Sequence, residues 1–325
     1  MASSLARIGI ISIGDMGVGI AKLLVAHGFS VATNCKGRSN DTIERAKNAQ
    51  VELLPTDEAL TQSCAVILSV VPPRDAVVTA QRIVDALSGP IRRSDSDPLY
   101  YADLNAVAPS SVKSIASLFR NLSSVRFVDG SIIGGPPTLK ETTDGSSSSP
   151  SWNAPNIPMS GPYPLSAIPG YGEKLATTLN ARHISPEIGA ASGLKMCFAS
   201  LSKGFTSLAI QAFTTAHRMG VLPDLQREMQ GLMGARYAMA EKGVVGMAPK
   251  AYRWVAEMEE IARTFSEEGG FAPDSFTGAA KVYETVADDT ALGQEKIGKR
   301  KRGTTVEDMA QAMVEGMQSK KKKND

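Results

Sequence analysis

Ile8-Gly9-Ile10-Ile11-Ser12-Ile13-Gly14-Asp15-Met16-Gly17-Val18-Gly19 decides how the rest of the chain is read. The apolar run Ile8 to Ile13 predicts a buried strand. A helical period comes directly after it: Ile20, Leu23, Leu24 and His27 recur at helix spacing before Gly28 stops it. A glycine-rich turn between a strand and a helix is where a dinucleotide fingerprint carries meaning. Gly14 would let backbone approach a pyrophosphate, and Gly17 would let helix pack close to strand. The helix, read from Val18 to His27, would face the phosphates with free N–H groups and a positive dipole end, with Asp15 and Met16 in the turn before it. The usual first glycine is Ser12 here, so the motif reads S-x-G-x-x-G. Taken alone, such a turn also fits a tight strand-to-helix connection that binds nothing.

The second strand, Phe29 to Thr33, sharpens the reading because of the loop at its end: Asn34-Cys35-Lys36-Gly37-Arg38-Ser39. A chain selective for NAD usually carries Asp or Glu here to hold the ribose hydroxyls. This loop has no acid. Arg38 and Lys36 supply positive charge, and Ser39 and Asn34 supply donors, for a 2′-phosphate. The pattern points to NADP, against the plainer reading of a solvated basic loop before a helix.

Strand and helix continue to alternate. Asp41 to Asn48, Asp75 to Leu87 and Ser110 to Phe119 read as helices. Val66 to Val71, Leu99 to Asp103 and Val125 to Asp129 read as strands, with a further one at Asn156 to Gly161. This spacing predicts an α/β Rossmann domain, a doubly wound sheet with a parallel core and helices on both faces. Arg92 to Pro98 reads as a polar loop, and Thr138 to Ser151, rich in serine, as a flexible surface insertion. From Ile188 the pattern changes to long helices, beginning with an almost unbroken one from Ala190 to Met219. The expected organisation is a cofactor-binding domain over residues 1–186 and an all-α domain over 187–325.

Composition agrees. A chain of 325 residues, 42% hydrophobic and 21% charged, fits two ordinary globular domains and excludes global disorder. No apolar run reaches the roughly 18 residues of a membrane-spanning helix, so no membrane partner is expected. Met1 to Arg7 lacks the layout of a secretion signal. Cys35, Cys64 and Cys197 lie far apart, which argues against a disulfide framework and a metal site and for a reducing, cytoplasmic setting. The net charge of +2 is uneven. Lys296 to Asp325 holds nine Lys/Arg against four Asp/Glu, a local +5, which leaves the remainder at −3. A positive field confined to the chain end argues against specific nucleic-acid binding. Lys299-Arg300-Lys301-Arg302 and Lys320-Lys321-Lys322-Lys323 could address a protein to the nucleus or bind polyanions. The plainer reading, a solvated and partly disordered end, is favoured because no aromatics are interleaved.

Several ordered motifs together resemble the β-hydroxyacid dehydrogenase and 6-phosphogluconate dehydrogenase-like superfamily. Met16-Gly17 before a helix is similar to its entry. Val70-Val71-Pro72-Pro73 resembles its loop beside the adenosine, and Asp103-Leu104-Asn105-Ala106-Val107-Ala108-Pro109 its D-x-N-A-x-S-P segment. Asp129-Gly130-Ser131-Ile132-Ile133-Gly134-Gly135-Pro136-Pro137 looks like its substrate-side loop. Ile188-Gly189-Ala190-Ala191-Ser192-Gly193-Leu194-Lys195-Met196 matches the start of the helix that carries its catalytic lysine. Ala251 to Glu260 resembles a branch with a 6-phosphogluconate dehydrogenase C-terminal-like helical domain. The resemblance implies hydride transfer between NAD(P) and an alcohol, carbonyl or imine carbon, and usually a paired second chain. It implies cofactor contacts from Val70, Val71, Pro72 and Asn105, and substrate contacts from Ser131, Ile133, Gly134 and Gly135.

Lys195 can also be read from its helix. At ~100° per residue, Ala191, Ser192, Ala199, Ser202 and Thr206 share its face. Small neighbours leave room for a ligand to approach the ammonium, which could exchange a proton with an alcohol or alkoxide. The alternative is a lysine snorkelling from a buried helix. Against the resembled pattern, Ala191 stands for a glycine, Ala199 for an asparagine and Ile133 for a serine. The missing polar groups put a 3-hydroxy acid substrate in doubt. They also keep open a cofactor-binding protein without turnover. Apolar helix faces beyond Ile188 predict a homodimer.

Overall fold

A computed structural model of the protein describes residues 4–89, 93–140, 151–296 and 298–324. The central part of the serine-rich insertion, 141–150, and Arg92 lie outside the described residues. Two compact units divide the chain, Met1–Lys195 and Met196–Asp325.

The first unit runs β1 (Arg7–Ile11), α1 (Asp15–Ala26), β2 (Ser30–Asn34), α2 (Asn40–Asn48), β3 (Glu52–Leu54), α3 (Asp57–Ser63), β4 (Val66–Ser69) and α4 (Ala76–Leu87). It continues with β5 (Leu99–Asp103), α5 (Pro109–Leu118), β6 (Val125–Gly130), a small hairpin of β7 (Thr138–Leu139) and β8 (Trp152–Asn153), then β9 (Ile157–Ser160), α6 (Gly172–Leu179) and β10 (Ala181–Ser185). The strand order in the main sheet is β10-β9-β6-β5-β4-β1-β2-β3. All neighbours are parallel except β6 and β9. The expected α/β Rossmann architecture is therefore what the chain forms. Strand order reverses between β1 and β4, and ligands of open α/β sheets bind in the crevice beyond the strand ends at such a point.

Period-two alternation explains why both sheet faces are apolar. Ile8, Ile10, Val66 and Leu68 enter one core with Ile20 and Leu24 of α1. Ile11 and Ile67 enter the other with Tyr101, Val112 and Phe127. Tyr101 lies 4.7 Å from Phe119 and 6.0 Å from Phe127, ring to ring.

The sequence reading misses β3, α3, α6 and β10. The first two are three and seven residues long, too short to show a period. Their signal is a cap: Thr56 Oγ1 accepts from the N–H of Ala59 at 3.1 Å, with Asp57 and Glu58 in the first turn.

The second unit is helical. α7 (Ala190–Ala199) begins in the first unit and passes through a π turn, Ser200–Gly204, into α8 (Phe205–Met219). α9 (Leu222–Met247), α10 (Ala251–Glu267), α11 (Asp274–Asp289) and α12 (Val306–Asn324) complete it. The π turn corrects the expectation of one regular helix. Its wider winding departs from the ~100° per residue on which the face of Ser202 and Thr206 was projected. Thr206 is buried instead, its Oγ1 donating to the Ser202 carbonyl at 3.0 Å. α9 breaks at Met233, between Gly231 and Gly234, where the backbone is non-helical. The basic chain end, expected to be solvated and partly disordered, is exposed over residues 318–322 and continues α12 as far as Asn324, and Lys320 Nζ meets Asp289 Oδ2 at 2.7 Å. Among the described residues, no helix is long and apolar enough to cross a membrane.

Candidate functional site

At the carboxyl end of β1 the chain must turn sharply into α1, and the turn is tight. Ser12 takes a left-handed φ of 79°, the conformation for which glycine is usual. A Cβ on Gly17 would lie 2.0 Å from the Ser12 carbonyl oxygen, so only glycine lets α1 approach this closely. A Cβ on Gly14 would meet nothing nearer than Ser12 Oγ at 4.0 Å. Gly14 thus leaves open a cradle that a side chain would fill, at the start of a helix with unsatisfied N–H groups.

That cradle opens into a cleft of about 520 Å³ between the turn, the end of β2 and the starts of α2 and α3. Gly14, Asn34, Lys36 and Arg38, which the sequence reading assigns to the cofactor, line it. Asp15, Met16 and Gly17 form the first turn of α1 beside it. Ser39 caps α2, its Oγ accepting from the N–H of Thr42 at 3.4 Å. Three charged residues that the sequence reading overlooks join the lining: Arg45, Arg82 and Asp57. Arg45 Nη1 donates to the Ile13 carbonyl at 2.8 Å and so braces the glycine turn. Ser39, Thr42 and Arg45 recur every third residue on α2, a signal that could have found it. Arg82 forms a forked pair with Asp57, Nη2 to Oδ2 at 2.7 Å and Nε to Oδ2 at 3.1 Å, across 25 residues of sequence. No local pattern announces that pair. The lining holds four cations against one carboxylate. The Arg38 side chain makes no hydrogen bond or ion pair among the described residues, which leaves its guanidinium available.

Beyond β4, Val70 N donates to Ile11 O at 3.0 Å and Val71 N to Asn105 Oδ1 at 2.7 Å, which sets the Val70–Pro72 loop next to β1. Asn105 is buried. Its Nδ2 donates to Asp103 Oδ2 at 2.9 Å and Ser69 Oγ at 3.2 Å, so it ties the ends of β4 and β5 together and has no donor left over. Asp103 is fully buried, and desolvation pushes its carboxyl up to about 7, against the opposing hydrogen bonds from Asn105.

A second polar centre surrounds the start of α7 within the first unit. Asp129, at the end of β6, accepts from Gly189 N at 2.8 Å, Ser192 N at 3.3 Å, Ser192 Oγ at 2.7 Å and Ser160 Oγ at 2.8 Å. Burial raises its carboxyl above the usual range while these donors pull it down. The clamp is a buried carboxylate at a helix N-terminus, satisfied on both oxygens. Ser192, expected to face a ligand beside Lys195, is committed to Asp129 instead. One turn on, Lys195 Nζ donates to the Ile132 carbonyl at 2.7 Å. The structure therefore brings Lys195 to the loop expected to face substrate. Gly134 and Gly135 are exposed there and Ile133 is half-buried, whereas Ser131 is fully buried and its Oγ has no hydrogen-bond partner among the described residues.

Lys203, Tyr252, Arg253 and Trp254 belong to the second unit. Lys203 pairs with buried Glu257 and lies 5.1 Å from the Trp254 ring centre. Trp254 meets Tyr283 edge-on at 5.1 Å, which is ordinary helix packing. Tyr252 is exposed.

Residues 7–91, which build the glycine turn and the basic cleft, match a family described as NADP oxidoreductase, coenzyme F420-dependent. Residues 216–286 match a domain of unknown function, DUF1932. The two matches fall one in each unit of the chain. Among its relatives is an uncharacterised 28.5 kDa protein from the 7S RNA 5′ region of Methanothermus fervidus, 24% identical over 258 residues, 79% of this chain and 90% of that one. The solved structure of MTH1747, a conserved protein of unknown function similar in structure to 3-hydroxyacid dehydrogenases, is 25% identical, covers 87% of this chain and 97% of its own, and superposes with a TM-score of 0.57. A 3-hydroxyisobutyrate dehydrogenase from Salmonella typhimurium is 13% identical, covers 94% of this chain and 99% of its own, and gives 0.63. At that identity the likeness is one of fold: a hydroxyacid dehydrogenase Rossmann core with a helical region after it.

Proposed function

We propose that the chain is an NADP-dependent oxidoreductase of the β-hydroxyacid dehydrogenase type. The observation that carries the reading is the cleft beside Gly14, with Lys36, Arg38, Arg45 and Arg82 set against the single carboxylate of Asp57. Its size, its open glycine cradle and its sign fit a dinucleotide with an extra phosphate. The matched family over residues 7–91 supports the same class. NADPH, when bound, would supply the hydride; the chain's residues bind, orient and handle the proton. Lys195 is the proposed proton donor and acceptor. Its contact with the Ile132 carbonyl holds the ammonium at the start of the loop that carries Gly134 and Gly135, where a substrate oxygen or nitrogen could approach it. The loop offers no accessible side-chain hydroxyl at Ser131 or Ile133, so a small alcohol, ketone or imine is as open as a 3-hydroxy acid.

Calorimetry with NADPH and NADH tests the reading. NADPH should bind more tightly, and Arg38→Ala should weaken it by about 1.5–3 kcal/mol, the loss of a charged hydrogen bond. Equal affinity for both, or none for either, overturns it.

A further inference from the structure

We propose that the cleft does contain an acid of the kind that selects NAD, and that Arg82 suppresses it. On this view the Arg82–Asp57 pair is a specificity-determining device that tips the cleft toward NADP. The inference rests on the proposed NADP function.

The end of β2 lacks the acid that would hold ribose hydroxyls. Asp57, the first residue of α3, brings a carboxylate into the same cleft from a different element. Left alone, that carboxylate would accept from vicinal hydroxyls and repel a phosphate. It is not left alone. Arg82 of α4 grips Oδ2 with Nη2 and Nε, and Nη2 also reaches Oδ1 at 3.1 Å. Asn34 Nδ2 donates to Oδ1 at 2.8 Å. The charge is offset and the oxygens are occupied. Asn34 in turn accepts from the Lys36 N–H at 2.9 Å, so Asp57 also fixes the start of the basic loop. With Asp57 masked, Lys36, Arg38 and Arg45 set the sign of the field that an incoming phosphate meets. Arg82 is 43% exposed in its side chain and Asp57 16%. An ion pair so open on one side contributes little to stability, which fits a role in the cleft rather than in the core.

The test is calorimetry on the full chain with NADPH and NADH. Arg82→Leu should lower the ratio of NADPH to NADH affinity by about tenfold or more, through weaker NADPH and tighter NADH. Adding Asp57→Asn should return the ratio to within about threefold of the native value, because the amide keeps an acceptor for Asn34 and removes the charge. Arg82→Gln, which keeps a donor toward Asp57 without the charge, should shift the ratio in the same direction and covers a folding failure of the leucine variant. An unchanged ratio in both Arg82 variants, or a fall that persists in the double variant, overturns the inference. A native chain that binds neither cofactor, or both equally, overturns the NADP reading itself and the inference with it.

Discussion

At the scale of single residues, one lysine and one buried carboxylate carry distinct expectations. Lys195→Ala should lower turnover by about 10²–10⁴-fold, the usual contribution of a general acid or base, while NADPH affinity stays nearly unchanged. NADPH absorbance with a panel of hydroxy acids, ketones and cyclic imines reads the first, and calorimetry the second. Retained turnover would move the proton role to another group. Asp103 gives a stability signature. Its carboxyl ionises at about 7 in the folded chain, against 3.8 when unperturbed, because burial penalises the charge. Between those values the folded chain keeps a proton that the unfolded chain has lost. Stability from this group is therefore fully present below the lower value and falls as pH rises through the upper one. Urea midpoints measured from pH 4 to 8 should show that Asp103→Asn removes this downward component; an identical pH profile would contradict it. Of the candidate site, the glycine turn, the basic loop and Lys195 were legible because each is a local pattern: a fixed glycine spacing, a strand end and a helix face. Asp129 and Arg82 were not. Their partners lie 25 to 63 residues away, and only the folded sheet brings them together.

At the scale of elements, long periodic segments were legible and short or irregular ones were not. β5 appears at its expected bounds because a short apolar and aromatic run between turns leaves little choice. The break at Ser200–Gly204 could not be read from a hydrophobic pattern that continues on both sides. One long-range signal is a hydrogen bond: buried Tyr283 donates its hydroxyl to the Lys203 carbonyl within the π turn at 2.6 Å, across 80 residues of sequence. The helical course of the basic tail was missed because a run of lysines carries no apolar period, yet α12 is anchored further back. Met309, Ala310, Ala312 and Met313 are buried, and a Cβ on Gly316 would lie 2.4 Å from the Asp289 carbonyl, so α12 and the end of α11 touch there. Anchoring therefore ends before Ser319. Deleting Ser319 to Asp325 removes the exposed Lys320–Asp289 pair and little else among the described residues. The urea midpoint should barely move, as the loss of an exposed ion pair implies, with NADPH affinity unchanged. A larger loss in either measurement would give the tail a structural or binding role.

At the scale of the whole molecule, what the second unit leaves uncovered matters more than what it buries. Phe198 is 50% exposed, Leu201 77% and Leu208 63%, on consecutive segments of α7, the π turn and α8. Single exposed apolar residues are ordinary, but several large ones along one helical path are what an association surface looks like. Self-association through a two-fold axis is the commonest way for a chain to cover such a surface, because one patch then serves both copies. A homodimer is thus expected, and light scattering at micromolar concentration should give a particle of twice the 34.3 kDa chain mass. The surface itself can be tested separately. Leu201→Asp and Leu208→Asp place charges where an isolated chain meets water, so its thermal midpoint should barely move. In a closed apolar interface the same charges would be desolvated without partners, at a cost of several kcal/mol. Both variants should therefore run at the mass of one chain. A native chain that scatters as a single copy contradicts the dimer. Variants that remain dimeric place the seam on another surface.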